Sequence, residues 1–314
     1  MVLILRPSLV NNPITEYTIY PINTARISAS PAITTLTPEL LISTSPLKGV
    51  ITAGSNFTAA LNSASTVVLV GDLSFEDVAD WKNISQIVAF EDHILGLLNN
   101  GTVIFSGAAS KGENRVTGWT SVVQIAACYH GSIGLTKNGN ILYAGQDQNN
   151  IEECKNWTGV KQILGGEDHI VGLLESGNII TSGYDGNGDG RLGPFDFNNV
   201  VEGAAANGST FCVFSDGTVG AYGTDKVGED KISEWSNIIA ISGGEEHTVG
   251  LKANGTVVAK GNNEFGQCEV MDWTNIIAIA CGPYHTVGLK SDGTLVATGN
   301  NDYGQCDVKG IDLW

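Results

Sequence analysis

Asp185, Asn187 and Asp189 fall at alternate positions, and Gly190 follows them directly. Side chains at every second residue of a tight loop point the same way, so their oxygens converge on a hard cation, and the glycine permits the sharp turn. In this register the Arg191 carbonyl is the seventh position and Asp196 the twelfth, where a longer bidentate Glu usually closes the site. The spacing therefore predicts one Ca²⁺ bound by Asp185, Asn187, Asp189, Arg191 and Asp196. The competing reading is a Gly-rich turn whose Asp and Asn bond only local backbone. No helical pattern flanks the loop, so any cation would sit on another scaffold.

The other residues capable of chemistry are dispersed. His93, His130, His169, His247 and His285 recur in one slot of a repeat, a slot that Phe57 and Ser209 also occupy. Histidines on separate units do not converge on one ion, and the expected role is a hydrogen bond to a loop backbone that staples each unit. The six cysteines form no Cys-x-x-Cys pair, and small buried thiols are expected. No nucleophile, base and orienting acid stand together, so the chain reads as non-catalytic.

The elements that must position these residues are copies of one unit. IIAISGGEEHTVGLKANGTVVAKGNNEFGQC, from Ile238 to Cys268, returns almost unchanged from Ile276 to Cys306. Each copy is an apolar β-branched run, a short loop, a second strand from the histidine, a three-residue turn ending in Gly, and a third strand. That turn recurs at Gly101, Gly139, Gly177, Gly217, Gly255 and Gly293, and an aromatic precedes each unit at Trp81, Trp119, Trp157, Phe197, Trp235 and Trp273. The pattern predicts seven units of about 38 residues, long enough for four-stranded sheets arranged radially, an all-β seven-bladed β-propeller over residues 47–314. Trp314 is expected to take part in closing the ring.

Residues 1–46 are not repeat and hold six of the eight prolines. They read as an extended N-terminal arm, either a clasp on the ring or an anchor into a larger assembly. The start lacks the basic and long apolar parts of a signal peptide, and no run is long enough to span a membrane. A virion or the cytoplasm is the expected setting. The net charge of −17, with 16 Lys and Arg scattered along the chain, argues against nucleic acid and against an anionic membrane.

Ala280-Cys281-Gly282-x-x-His285-Thr286, with Asp292-Gly293-Thr294 and Tyr303-Gly304-Gln305, resembles the regulator-of-chromosome-condensation repeat. Gly190-Arg191-Leu192-Gly193 resembles that family's Gly-Gln-Leu-Gly turn. The resemblance covers roughly residues 50–308, and shorter copies of this kind are similar to the propeller-type β-lactamase inhibitor protein. It implies a seven-bladed propeller that binds proteins; the founding member acts as an exchange factor on a small GTPase and contacts chromatin.

Antiparallel strands place the loop before the histidine and the loop after the third strand on one face. The hairpins, uniform and polar, fall on the other. The varied face offers Glu91, Asp92, Tyr129, Glu167, Asp168, Glu245, Glu246 and Tyr284 from the first loops, and Phe265 and Tyr303 from the second. Aromatic anchors among acids suit a basic protein partner or a neighbouring subunit. The expected function is a binding or scaffold propeller, either a virion or large-assembly component docked by its arm, a free inhibitor or adaptor, or a GTPase regulator.

Overall fold

The computed structural model describes residues 49–72, 77–129, 131–146, 150–185, 188, 190–193, 197–223 and 232–314. The arm 1–46 lies outside them. The described residues form seven antiparallel sheets of three strands each. Blade 1 is Ile51–Ala53, Phe57–Leu61 and Val67–Gly71; blade 2 is Ile84–Phe90, His93–Leu98 and Val103–Gly107; blade 3 is Val122–Cys128, Gly131–Thr136 and Ile141–Gly145. Blade 4 is Val160–Gly165, His169–Leu174 and Ile179–Gly183; blade 5 is Val200–Ala206, Ser209–Phe214 and Val219–Gly223. Blade 6 is Ile238–Gly243, His247–Lys252 and Val257–Gly261; blade 7 is Ile276–Cys281, His285–Lys290 and Leu295–Gly299.

The four-stranded blades expected from repeat length are three-stranded. After the third strand, side chains take the backbone donors that a fourth strand would need. The Asn263 carbonyl oxygen accepts the Cys268 N–H at 2.8 Å, and Asn301 does the same for Cys306 at 2.7 Å. In blades 1 and 3 short 3₁₀ segments, Val78–Asp80 and Ile151–Asn156, fill the same place.

The hairpins need their glycines, which sit at φ between 78° and 88°. Asn or Asp three residues before the third strand caps the turn in blades 2, 5, 6 and 7: Asp292 accepts both the N–H and the hydroxyl of Thr294. Each lead-in tryptophan packs closely against a glycine of its own middle strand. A Cβ on Gly172 would stand 2.8 Å from the Trp157 ring, and one on Gly250 2.9 Å from Trp235. Blade 5 changes both partners together, with Cys212 at the glycine position and the smaller Phe197 in place of Trp.

Neighbouring blades are joined near the axis by side chains. Gln86 of blade 2 clamps the main chain of Ile125 in blade 3, accepting its N–H at 2.9 Å and donating to its carbonyl at 3.1 Å. Gln124 repeats the clamp on Ile163, and Gln162 donates to Glu202 at 3.0 Å. On the hairpin side, the first residue of the inner strand in blades 2, 3, 5, 6 and 7 donates to the previous blade's turn, as Ile276 does to Gly255. Leu313 plays this part for blade 7, donating to Gly293 and accepting the N–H of Ser63 in blade 1. Closure at the chain end therefore runs through buried Leu313, while Trp314 lies largely exposed over Gly293.

Candidate binding face

The histidine slot is an interblade joint. The imidazole Nε2 of His169 lies 3.0 Å from the Thr210 hydroxyl of the next blade, His247 2.9 Å from Thr286, and His285 3.0 Å from Thr58. Each threonine hydroxyl in turn donates to a main-chain carbonyl, of Arg191, Gln267 and Gln305 respectively. A hydroxyl has one hydrogen, so the imidazole must be the donor and stands as the neutral Nε2–H tautomer. Burial agrees, pushing His93, His247 and His285 down to about 4. The expected bond to a loop backbone is thus relayed through a threonine of the neighbouring blade. These buried pairs expose no nucleophile.

His130 lies outside the described residues, and Gly131 holds the slot expected for it. The middle strand of blade 3 begins at Gly131, which pairs with Gly145 as His285 pairs with Gly299. The missing side chain is replaced from the third strand, because a Cβ on Gly131 would meet the Tyr143 ring at 2.4 Å. Where the slot is apolar, the next blade matches it: Phe57 faces a blade with Ile94 rather than Thr, and both are buried in one cluster.

The first loops encircle the axis and bond to one another. Ser55 N–H donates to Glu91, Tyr129 to Glu167, and Glu245 to Pro283. The second loops adjoin them, for in blades 1, 2, 4, 6 and 7 the residue after the third strand donates to the first loop's last carbonyl, as Asn300 does to Tyr284. The structure thus gathers Glu91, Asp92, Glu167, Asp168, Glu245 and Glu246 on the varied face. Glu91, in the left-handed region at φ 45°, has its carboxyl raised to about 7, first by burial and then by Asp92, Glu167 and Glu245. Glu91 also pushes up the Tyr129 hydroxyl, and a hydrogen bond to Glu245 carries Tyr284 to about 12. Glu91 of blade 2 therefore feels Glu167 of blade 4 and Glu245 of blade 6 across the axial mouth.

Outer loops of blades 6 and 7 hold out one aromatic each. Buried Gln267 accepts the Phe265 N–H, and Gln305 that of Tyr303, both at 3.0 Å. Phe265 packs against Tyr284 with ring centroids 5.6 Å apart. Phe265, Tyr284 and Tyr303 thus share one side of the face, and Tyr129 stands apart in blade 3. These loop-tying glutamines were missed in sequence, although their return at 38-residue spacing, Gln267 and Gln305, was the available signal.

Of the predicted cation loop, Asn187, Asp189 and Asp196 lie outside the described residues. Asp185 accepts the Leu192 N–H at 3.3 Å, and the Arg191 carbonyl accepts the Thr210 hydroxyl. Among the described residues no three His, Cys, Asp or Glu come together as a metal site. The cysteines are free, and burial raises Cys212 and Cys281 to about 12, which leaves inert thiols.

Seven radial sheets with such joints define a seven-bladed β-propeller. Within its last two blades, residues 238–267 and 276–305 match the model of the regulator of chromosome condensation (RCC1) repeat. The ectodomain of the Physcomitrella patens receptor kinase CR4 superposes with a TM-score of 0.65 at 16% identity, over 80% of this chain and 72% of that one. The Arabidopsis thaliana ACR4 ectodomain gives 0.61 at 14%, over 79% and 93%. Yeast RCC1 (Prp20), solved bound to Kap60, gives 0.60 at 14%, over 91% and 89%. No curated protein sequence matches the chain.

Proposed function

We propose that this chain is a non-catalytic, protein-binding propeller whose varied loop face receives a basic segment of a partner. The observation that carries this reading is the charge environment of Glu91: every charged neighbour that shifts it is another carboxylate. Like charges held together are relieved by a cationic side chain, and the Phe265–Tyr284 pair beside them offers apolar and cation–π contact. The test is titration with an octalysine peptide against octaglutamate. Octalysine should bind, and the triple change Glu91→Gln, Glu167→Gln, Glu245→Gln should weaken it. Neutralising the hairpin face with Asp216→Asn and Asp292→Asn should not. Equal loss in both variants would reduce the attraction to net charge and end the assignment.

The RCC1 repeats support a second reading, regulation of a small GTPase, which a nucleotide-release assay checks directly. The finer expectations, a virion or assembly component docked by residues 1–46 or a free inhibitor or adaptor, rest on residues outside those described. Comparing the size of full-length protein with a chain starting at Pro46 separates them: loss of assembly marks an anchor, unchanged assembly a clasp.

A further inference from the structure

A polar hollow of about 480 Å³ opens between the outer loop of blade 2 and the end of blade 3. Ser110, Lys111, Asn114 and Arg115 line one side, and Gly145 and Gln146 the other. Its position is not accidental to the repeat. The Lys111 N–H donates to buried Glu113 at 2.8 Å, the same bond by which Gln267 holds Phe265 and Gln305 holds Tyr303. The Glu113 carbonyl likewise accepts the Ser132 hydroxyl of the next blade, as those of Gln267 and Gln305 accept threonines. Lys111 therefore stands at the position that displays an aromatic in blades 6 and 7.

The charge of the hollow runs against the rest of the molecule. In a chain with 33 acids and 16 Lys and Arg, two cations share this one concavity, both exposed. Neither Lys111 nor Arg115 pairs with an acid among the described residues, whereas Lys155 is held by Glu152 at 2.8 Å. Arg115 is also placed rather than free, since its guanidinium lies over Gly112, where a Cβ would come within 3.0 Å of Cζ. The Asn114, Gln146 and Ser110 side chains add neutral donors around the two charges.

We propose that this hollow binds an oxyanion, a carboxylate or phosphate group, with the Arg115 fork and the Lys111 ammonium as its charged donors. The site is independent of the acidic mouth and stands or falls separately from it.

The test follows the Gly112 and Gly145 amide resonances of the full chain during titration with inorganic phosphate and, separately, with a glutamate-rich peptide. We expect saturable shifts at both glycines with at least one probe, and at least tenfold weaker binding in the Lys111→Ala, Arg115→Ala double variant. Arg115→Lys should keep part of the affinity. Response to phosphate alone identifies a free or esterified phosphate as the source; response to the peptide alone identifies an acidic segment. Unmoved glycines with both probes, or equal affinity in parent and a double variant whose circular dichroism matches the parent, would overturn the proposal.

Discussion

The Nε2 of His285, in the last blade, lies 3.0 Å from the hydroxyl of Thr58, in the first. The two residues are 227 positions apart, and their bond joins the ends of the ring. Thr58 also donates to the Gln305 carbonyl, so one hydroxyl serves two buried partners.

Replacing Thr58 with Val keeps the shape and leaves both partners unsatisfied. Stability should fall by about 1–3 kcal/mol, the cost of stranding buried polar groups. Urea unfolding of parent and variant measures it, and a loss below about 0.5 kcal/mol, the scatter of ordinary surface changes, would show that the joint is replaceable.

Acid should loosen the ring in a defined window. Burial holds His93, His247 and His285 at about 4, below their ordinary 6.5. The unfolded chain takes up those protons between 6.5 and 4 while the folded chain does not, so stability present above 6.5 is lost as pH falls towards 4. Glu91 acts oppositely, since a carboxyl raised to about 7 is protonated first in the folded state and gains stability on acidification from 7 to 4.5. The Glu91→Gln variant should therefore show the steeper decline in melting temperature between pH 7 and 4.5. A variant profile as shallow as the parent's would remove Glu91 from this account.

The aromatics of the loop face should divide by position. Phe265→Ala, Tyr284→Ala and Tyr303→Ala, clustered on blades 6 and 7, should each weaken binding of a basic partner, by about 2 kcal/mol where a hot spot is truncated. Tyr129→Ala, across the mouth, should cost less. Calorimetric titration of the four variants tests the order, and equal effects would spread recognition over the whole face.

Gly172→Ala drives a methyl into Trp157 and should destabilise blade 4 by about 1–3 kcal/mol, as overpacking does. Adding Trp157→Phe to the same chain should recover part of the loss, because blade 5 already works with Phe197 against Cys212. Additive losses in the double variant would contradict the pairing.

The loop from Asp185 to Asp196 yields its own expectation, heat on titrating chelator-treated protein with Ca²⁺ at an affinity of ~10⁻⁴–10⁻³ M. The signal should vanish with Asp185→Ala and Asp189→Ala together, and no heat in the parent at millimolar Ca²⁺ would end it.

The sheets were legible because β-branched runs and Asp/Asn-Gly turns repeat in phase, and the acids of the loop face were legible because the histidine marks where each loop ends. Blade 3 misled for a physical reason. Its slot side chain is absent, Tyr143 fills the space from another strand, and the strand opens at Gly131, the residue after the histidine in sequence. Counting from the hairpin glycine finds the slot, since Gly139 follows Gly131 by the same interval as Gly293 follows His285. The blade joints were harder to see, because the partners of Gln86, Gln124 and His285 are main-chain groups or a hydroxyl on a different unit, which no local pattern encodes.

Leu313 takes the place that the opening residue of another blade would fill, and every blade is drawn from one uninterrupted stretch of chain. Among the described residues no strand is exchanged between the ends. His247 and His285 both require a threonine, and Thr286 and Thr58 both supply one. Excising residues 276–312 as a block would leave His247 a chemically suitable mate in Thr58 and bring Leu313 to the place of Ile276 beside Gly255. Units joined by a His–Thr pair are therefore interchangeable at those seams, and a gene built this way can gain or shed such a copy by unequal recombination without inventing a new junction, whereas the apolar Phe57–Ile94 seam would not accept the exchange.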